Sequence, residues 1–407
     1  MSAVLMPAKR AGTAFSPLLR RPAPVPASRR YLSRQPKTGT ARQVTPSRGA
    51  ATAAAAAFQP PPQHQQTDPG QYHYSFHPST PSPSRSSRPQ LDLRKQAHSP
   101  DFYSAISTIM RLRDRYVEDR VIFVPGRDMA RLCLQLGARE EDFAALRSVS
   151  DNLIGDPTLP YRKTRNGRFL LDLAPSASAA TLRRLEFQPF ILSKAEDFSR
   201  YDSDTVRIFD EVEDELQLNT VFQALMIFKS AIYHGVPTRR RPAMDYDTRR
   251  WICTLFSVRT TTTPSRLGEP ALEGVHTDGV DHTMTTFLGS ENMTPESAVT
   301  YVHDMSETTG ARYADAKPDR ILGRVHHRAF LDTMMVVDSE RKHSLSPVYA
   351  VDPERPATRD MLVFFSRKPT LAGHVSADLD SMNPHEEMAM EIPIFVPPTA
   401  RPEGREE

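Results

Sequence analysis

Beyond Pro237 the sequence reads as strand and does not return to a helical period. The run Trp251–Arg259 (WICTLFSVR) is rich in β-branched and aromatic residues at a period of two. Similar runs lie around Val275–His276, His282–Leu288, Ala298–His303, Phe330–Val337, Ser344–Val348, Met361–Phe365 and Ala389–Val396. Short strands with turn-like gaps and no long helix between them predict an antiparallel sandwich or barrel, most economically a jelly roll.

What precedes this β region is helical. Residues 101–120 place Phe102, Ile106, Ile109, Met110 and Val117 on one helical stripe. Val121–Val124 is a short extended segment, Arg127–Leu136 a helix closed by Gly137, and Glu140–Leu153 a further helix. Residues 160–173 turn extended and carry Arg162, Lys163, Arg165 and Arg168, a solvated face unless one arginine turns inward toward an acidic ligand. Arg184–Leu192 reads as an edge strand broken by Pro189. Thr205–His234 reads as one long helix with a broad apolar stripe, of the kind that backs a sheet. The expected class is α+β: a helical lead-in, a backing helix, and a double-stranded β-helix (jelly-roll) core from about residue 183.

Composition divides the chain into two parts. Residues 1–99 hold 14 lysines and arginines against two acids, Asp68 and Asp92, together with 15 of the 36 prolines. The whole chain carries +3, which leaves the remainder at about −9. The pI of 8.8 therefore describes the tail. The body is not a basic, nucleic-acid-binding surface. Residues 1–67, free of acids and rich in Arg, Ser, Ala and Pro, have the composition of a mitochondrial transit segment. A basic disordered tail on a cytoplasmic protein is the other reading, because prolines interrupt each candidate amphipathic helix. A single domain is expected over 100–400. The two cysteines, Cys133 and Cys253, form no metal or redox motif and suit a reducing compartment. No apolar run is long enough for a membrane span.

The stretch Glu273–Gly279 (EGVHTDG) carries the chemistry. In extended chain His276 and Asp278 project from one face. With a distant histidine they offer two imidazoles and one carboxylate, a set that suits Fe(II) and leaves half of an octahedron open. Downstream histidines at 326, 327, 343 and 374 are the candidates for the third ligand.

These residues resemble the metal-binding strand of the 2-oxoglutarate/Fe(II)-dependent dioxygenases. The branch most resembled contains bacterial L-isoleucine hydroxylase and related free-amino-acid hydroxylases. The likeness rests on Glu273–His282 (EGVHTDGVDH), on Leu331-Asp332-Thr333 through His343-Ser344-Leu345-Ser346-Pro347, on Thr358–Val363, and on Asp151–Phe169. It spans about residues 120–370 and departs from the pattern at Ser344, where glycine is common, and around Tyr313–Arg328. The resemblance implies His276, Asp278 and His343 as metal ligands. It also implies Arg359 as the anchor of 2-oxoglutarate, unless Arg359 simply pairs with Asp360. The implied cofactors are Fe(II), 2-oxoglutarate and O₂, with ascorbate as reductant. The implied reaction is oxidation of an unactivated C–H bond in a small molecule, a free amino acid or a derived metabolite. Peptide hydroxylation and a non-enzymatic binding role are the alternatives. For the substrate, Arg259 could meet a carboxylate, Asp281 an amino group, and Thr283 with Thr285 could line the cavity; solvation and turn capping are the plain alternatives for the first two.

Overall fold

The computed structural model describes Gln90, Leu91, Leu93 and residues 99–173, 180–196 and 198–394. The transit-like tail lies outside the described residues. Helix α1 (Pro100–Asp119) starts on a proline, whose ring presets the first helical φ. It buries Phe102, Ala105, Ile109 and Tyr116 and ends at Arg120 in the left-handed region, φ 63°. Strand β1 (Val121–Val124), α2 (Gly126–Gln135) and α3 (Glu141–Ser148) follow, the last continuing as a 3-10 turn over Val149–Asn152.

The remaining strands are β2 (Ile154–Gly155), β3 (Arg162–Leu173), β4 (Ala180–Leu185), β5 (Arg250–Thr262), β6 (His282–Glu291), β7 (Thr300–His303), β8 (Ile321–Val325), β9 (Thr333–Val337), β10 (Lys342–Leu345), β11 (Ala357–Arg367) and β12 (Glu391–Ile394). The larger sheet runs β1-β9-β6-β11-β5-β3-β4-β12, with β2 on β3, and the smaller one β10-β7-β8. Pairing is antiparallel throughout both. The two sheets share one cavity, a jelly-roll arrangement.

Register determines what each face carries. β5 and β11 pair with Phe256 opposite Val363 and Leu255 opposite Phe364. Leu255, Cys253, Leu362, Phe364, Met284 and Met335 belong to the main hydrophobic core. Against them packs α4 (Thr220–Tyr233), all fourteen residues of which are buried. The Phe222 and Phe364 rings, with centroids 6.1 Å apart and nearly parallel, mark the contact. The alternate residues Phe256, Val258, Thr260, Met361, Val363 and Phe365 face the cavity.

Several elements differ from the sequence expectation. The helix foreseen over Thr205–His234 is confined to a single turn, Asp214–Gln217, and α4. Asn219 caps α4 by accepting from the Val221 and Phe222 amides. Upstream, backbone pairing of Phe190 with Arg207 and of Asn166 with Glu211 holds residues 205–213 extended. Arg184–Leu192 is not a strand, since β4 ends at Leu185. Val275–His276 is a single bridge to His343 rather than a strand, and β8 was not anticipated because its exposure alternates without a strong apolar face. The sheet also begins well before residue 183. β3 lies between β5 and β4 and is buried from Asn166 to Leu171, a central position.

Candidate metal centre

His276 and Asp278 lie on the connection from β5 to β6, and His343 lies on β10. The His276 amide donates to the His343 carbonyl at 3.0 Å and the His343 amide returns the bond at 2.9 Å. That reciprocal bridge sets the two imidazoles side by side, with centroids 4.3 Å apart. Gly274, at φ 77°, lets the chain just before His276 pack against Ala311, where an added Cβ would fall 2.4 Å from the carbonyl oxygen. His276 Nε2 is 3.3 Å from Asp278 Oδ1, and His343 Nε2 is 3.5 Å from Asp278 Oδ2. One ligand atom from each residue falls within 4.8 Å of the others, so the three buried side chains can hold a metal ion. The other downstream histidines stand apart from this set. His327 contacts Thr285, His374 contacts Glu196 and His326 contacts Arg328.

The surroundings orient the donors. His276 Nδ1 lies 2.9 Å from the Gly274 carbonyl, which fixes the proton there and leaves Nε2 facing the cavity. Thr283 donates to Asp278 Oδ2 at 2.7 Å, while the Asp278 amide donates to the buried Asp338 carboxylate at 2.9 Å. Without a metal, burial opposes charge on His276, but Glu273, Asp278 and the Gly274 carbonyl outweigh it and raise the imidazole to about 9. Burial lowers His343 to about 4 against the pull of Asp278. For Asp278 burial acts upward and the two histidines overcome it, leaving it at about 2. Burial and the Asp278 charge push Asp338 up to about 7.

Arg359 also lines this cavity. It is buried, and its Nε has no hydrogen-bond partner. Asp360 points to the opposite face, where Arg259 takes it through two bonds of 2.7 Å. An unpaired guanidinium beside a set of metal donors fits the distal carboxylate of a chelating keto acid. Arg259 itself, half-buried and also bonded to Asp151, is absent from the cavity lining. The alternation of β5 sends it to the far side of the sheet, so it is not available to a substrate there. Asp281 is likewise buried elsewhere, accepting from the Tyr246 hydroxyl at 2.5 Å and the Lys368 amide at 3.1 Å. Thr283 and Thr285 do line the cavity.

Of the other charged groups in the cavity, Arg200 and Arg207 carried no sequence signal, whereas Arg162 is one of the strand arginines that could turn inward. Arg200 and Arg207 share one close carboxylate, Asp202. Burial, and Arg200 after it, lower Arg207 to about 10, and its Nε is 3.3 Å from Asp202 without hydrogen-bonding geometry. Glu273 Oε1 is 3.2 Å from His276 Nε2, and its other oxygen is 3.8 Å from Arg200. Phe190, Phe256, Phe209 and Phe365 form the apolar wall through ring contacts of 4.9–6.1 Å. Arg162 reaches the cavity, where Asp156 holds it at 2.6 Å. Arg200, Arg207 and Phe209 arrive on the irregular segment between β4 and α4, of which the part from Thr205 onward reads as helix by its apolar period.

Fold and site together define a class: an antiparallel jelly roll whose cavity gathers two imidazoles, one carboxylate and an unpaired arginine. The chain matches the 2OG-Fe dioxygenase family model over residues 147–365 and belongs to that family of Fe(II)- and 2-oxoglutarate-dependent oxidoreductases. It is 52% identical to the Fe(II)/α-ketoglutarate-dependent dioxygenase TqaL, covering 74% of this chain and 99% of that one with a TM-score of 0.63. It is 44% identical over 306 residues to the bifunctional enzyme flvA of Aspergillus flavus. That match takes in 75% of this chain and 37% of the relative, so the chain spans little more than a third of flvA. A bsmA homologue from Methylobium petroleophilum, at 19% identity and a TM-score of 0.51, shares the fold over 65% of this chain and 95% of its own.

Proposed function

We propose that the chain is a dioxygenase in which His276, Asp278 and His343 hold Fe(II), Arg359 anchors 2-oxoglutarate, and the substrate is a free amino acid or derived metabolite. The observation that carries this reading is the convergence of the three donors and the partnerless Arg359 in one cavity. O₂ is the oxidant: bound iron would activate it, 2-oxoglutarate would give up two electrons as it decarboxylates to succinate, and the substrate C–H bond would give up the other two. The Gly274 carbonyl holds His276 in the tautomer that presents Nε2, Thr283 fixes the Asp278 carboxylate, and Asp338 holds the Asp278 backbone amide. The phenylalanine wall excludes water and holds the target carbon by apolar contact.

The remaining charges suit a zwitterion. Arg200 and Arg207 share Asp202 as their close carboxylate, with Glu273 at 3.8 Å from Arg200, and Arg207 Nε is without a hydrogen bond and open to a substrate carboxylate. Glu273 lies where an ammonium could be held next to the metal. Enclosure by both sheets and by the segment carrying Phe190 and Phe209 favours a small molecule over a peptide. This matches the free-amino-acid hydroxylase branch that the sequence resembles.

Aerobic incubation of the chain with Fe(II), 2-oxoglutarate, ascorbate and a panel of amino acids, read by mass spectrometry, tests the proposal. Substrate-dependent succinate formation and oxidation of one amino acid are expected. Glu273→Gln should raise the KM for that amino acid at least ~10-fold while leaving the KM for 2-oxoglutarate near its original value, since about 1.5–3 kcal/mol attaches to a hydrogen bond with a charged group. Succinate formation that no amino acid stimulates, or a Glu273→Gln enzyme with unchanged KM, would remove the substrate assignment.

A further inference from the structure

On the face of the sheet opposite the cavity, Lys229 projects from α4 into the core and is only 1% exposed. Its Nζ lies 2.7 Å from Cys253 Sγ on β5 and 2.7 Å from Ser366 Oγ on β11. Cys253 and Ser366 are themselves cross-strand partners. The Tyr233 and Phe364 rings stand 5.4 and 5.7 Å from the nitrogen. Among the described residues, Cys253 is the one group whose charge favours the ammonium form, and no carboxylate acts on it. Burial lowers the lysine pKa, which makes the neutral, nucleophilic amine accessible.

The equality of the two distances needs a cause. Sulfur is larger than oxygen, so an ordinary contact from nitrogen to sulfur should be the longer one. A buried ammonium–thiolate pair would also carry a large desolvation cost on both ions. A single oxygen atom joining nitrogen to sulfur accounts for the close approach and removes both charges.

We propose that Lys229 and Cys253 form a covalent N–O–S cross-link that fastens α4 to the back of the sheet. The step balances with O₂ as oxidant: the amine, the thiol and one O₂ give Lys–NH–O–S–Cys and one water. One N–H bond and the S–H bond break, and N–O and O–S bonds form. Nitrogen and sulfur each lose two electrons. One oxygen atom enters the bridge and the other leaves as water with the two released hydrogens. Two equivalents of a dithiol supply the four electrons that return amine, thiol and water. The site lies behind the strands that carry Phe256 and Arg359, and it needs neither iron nor 2-oxoglutarate.

The test uses the full chain purified in air, half of it then treated with excess dithiol without oxygen, and both halves denatured, alkylated and digested. In the untreated half the peptides holding Lys229 and Cys253 should run as one species, one oxygen heavier and two hydrogens lighter than their sum. Cys253 should escape alkylation there, while Cys133 is alkylated in both halves. Dithiol should separate the pair and lower the melting temperature of the wild type by a few degrees. It should leave Lys229→Met and Cys253→Ser unmoved. Complete alkylation of Cys253 after prolonged exposure to O₂, oxygen found on Cys253 alone with Lys229 free, or an equal dithiol shift in all three proteins would overturn the cross-link. None of these readouts depends on the dioxygenase assignment.

Discussion

At the scale of single residues, the cavity separates side chains that look alike in sequence. Arg259 and Arg359 both sit on strands of the same sheet, beside an acidic neighbour in Asp360. Alternation sends Arg259 to Asp360 and leaves Arg359 Nε without a partner in the cavity. Arg359→Ala should weaken 2-oxoglutarate binding by roughly 30- to 150-fold, the worth of about 2–3 kcal/mol for charge-assisted hydrogen bonds. Arg359→Lys should recover part of it, because an ammonium keeps the charge and loses the bidentate fork. Equilibrium binding of 2-oxoglutarate to the Fe(II)-loaded protein checks both. Asp278→Ala should abolish stoichiometric Fe(II) binding, read by metal analysis after desalting, and should lower the melting temperature of the metal-free protein because His276 and Thr283 lose a buried partner. These residues are also where the sequence was most informative: a His-x-Asp pair and one distant histidine need only to be recognised as donors. Glu273, Arg200 and Arg207 gave no such signal, since charged residues are ordinarily solvated.

At the scale of elements, buried ion pairs connect segments that the sheet alone does not join. Asp380 accepts from Arg168 on β3 at 2.8 Å and from Arg367 at the end of β11 at 2.7 Å, and it also takes the Thr370 amide at 2.8 Å. Removing its charge leaves two guanidiniums uncompensated, so Asp380→Ala should cost about 3–5 kcal/mol, measured by urea unfolding at neutral pH. Burial acts to raise the Asp380 pKa, but Arg367 and Arg168 overcome it and hold the carboxyl well below its usual range. A depressed folded pKa contributes stability above the unfolded carboxylate value of about 3.9, and that stability is lost as pH falls below it. The wild type should therefore lose stability more steeply than Asp380→Asn as pH falls from about 5 toward 3. The cap of α4 offers a smaller perturbation: Asn219→Ala should cost about 1–2 kcal/mol, since Asn219 accepts two amides and also donates to the Asp142 carbonyl. The helix foreseen over Thr205–His234 fails at this scale. Its first nine residues have helical apolar spacing, but their amides and carbonyls are taken by neighbouring chain, including Phe190 and Asn166.

At the scale of the whole molecule, helices on one face of the large sheet and the cavity on the other assign structure and chemistry to opposite sides. The core reaches as far upstream as Leu91 and Leu93, both buried, and the Leu91 amide donates to Gln223 Oε1 of α4 at 2.9 Å. A chain beginning at Ser86 should therefore melt and turn over like the full-length protein. One beginning at Ser99 should lose about 2–5 kcal/mol for each buried leucine removed. Thermal unfolding and succinate formation distinguish the two. Mitochondrial import, if residues 1–67 direct it, would leave a shortened N-terminus on protein recovered from cells, and N-terminal sequencing would reveal it.

The sequence by itself determined the antiparallel β character of the C-terminal half, the His276–Asp278 pair and the family of its chemistry. The first two are written in local period and local residue type, and the family in a resemblance that runs over several separated segments. The family resemblance singled out His343 and Arg359, but only tertiary structure shows how His343 comes beside His276, why Arg359 stays unpaired, and which segment brings Arg200, Arg207 and Phe209 to the cavity. Those outcomes depend on register and on chain returning from far away, and the period of a single segment carries no information about either.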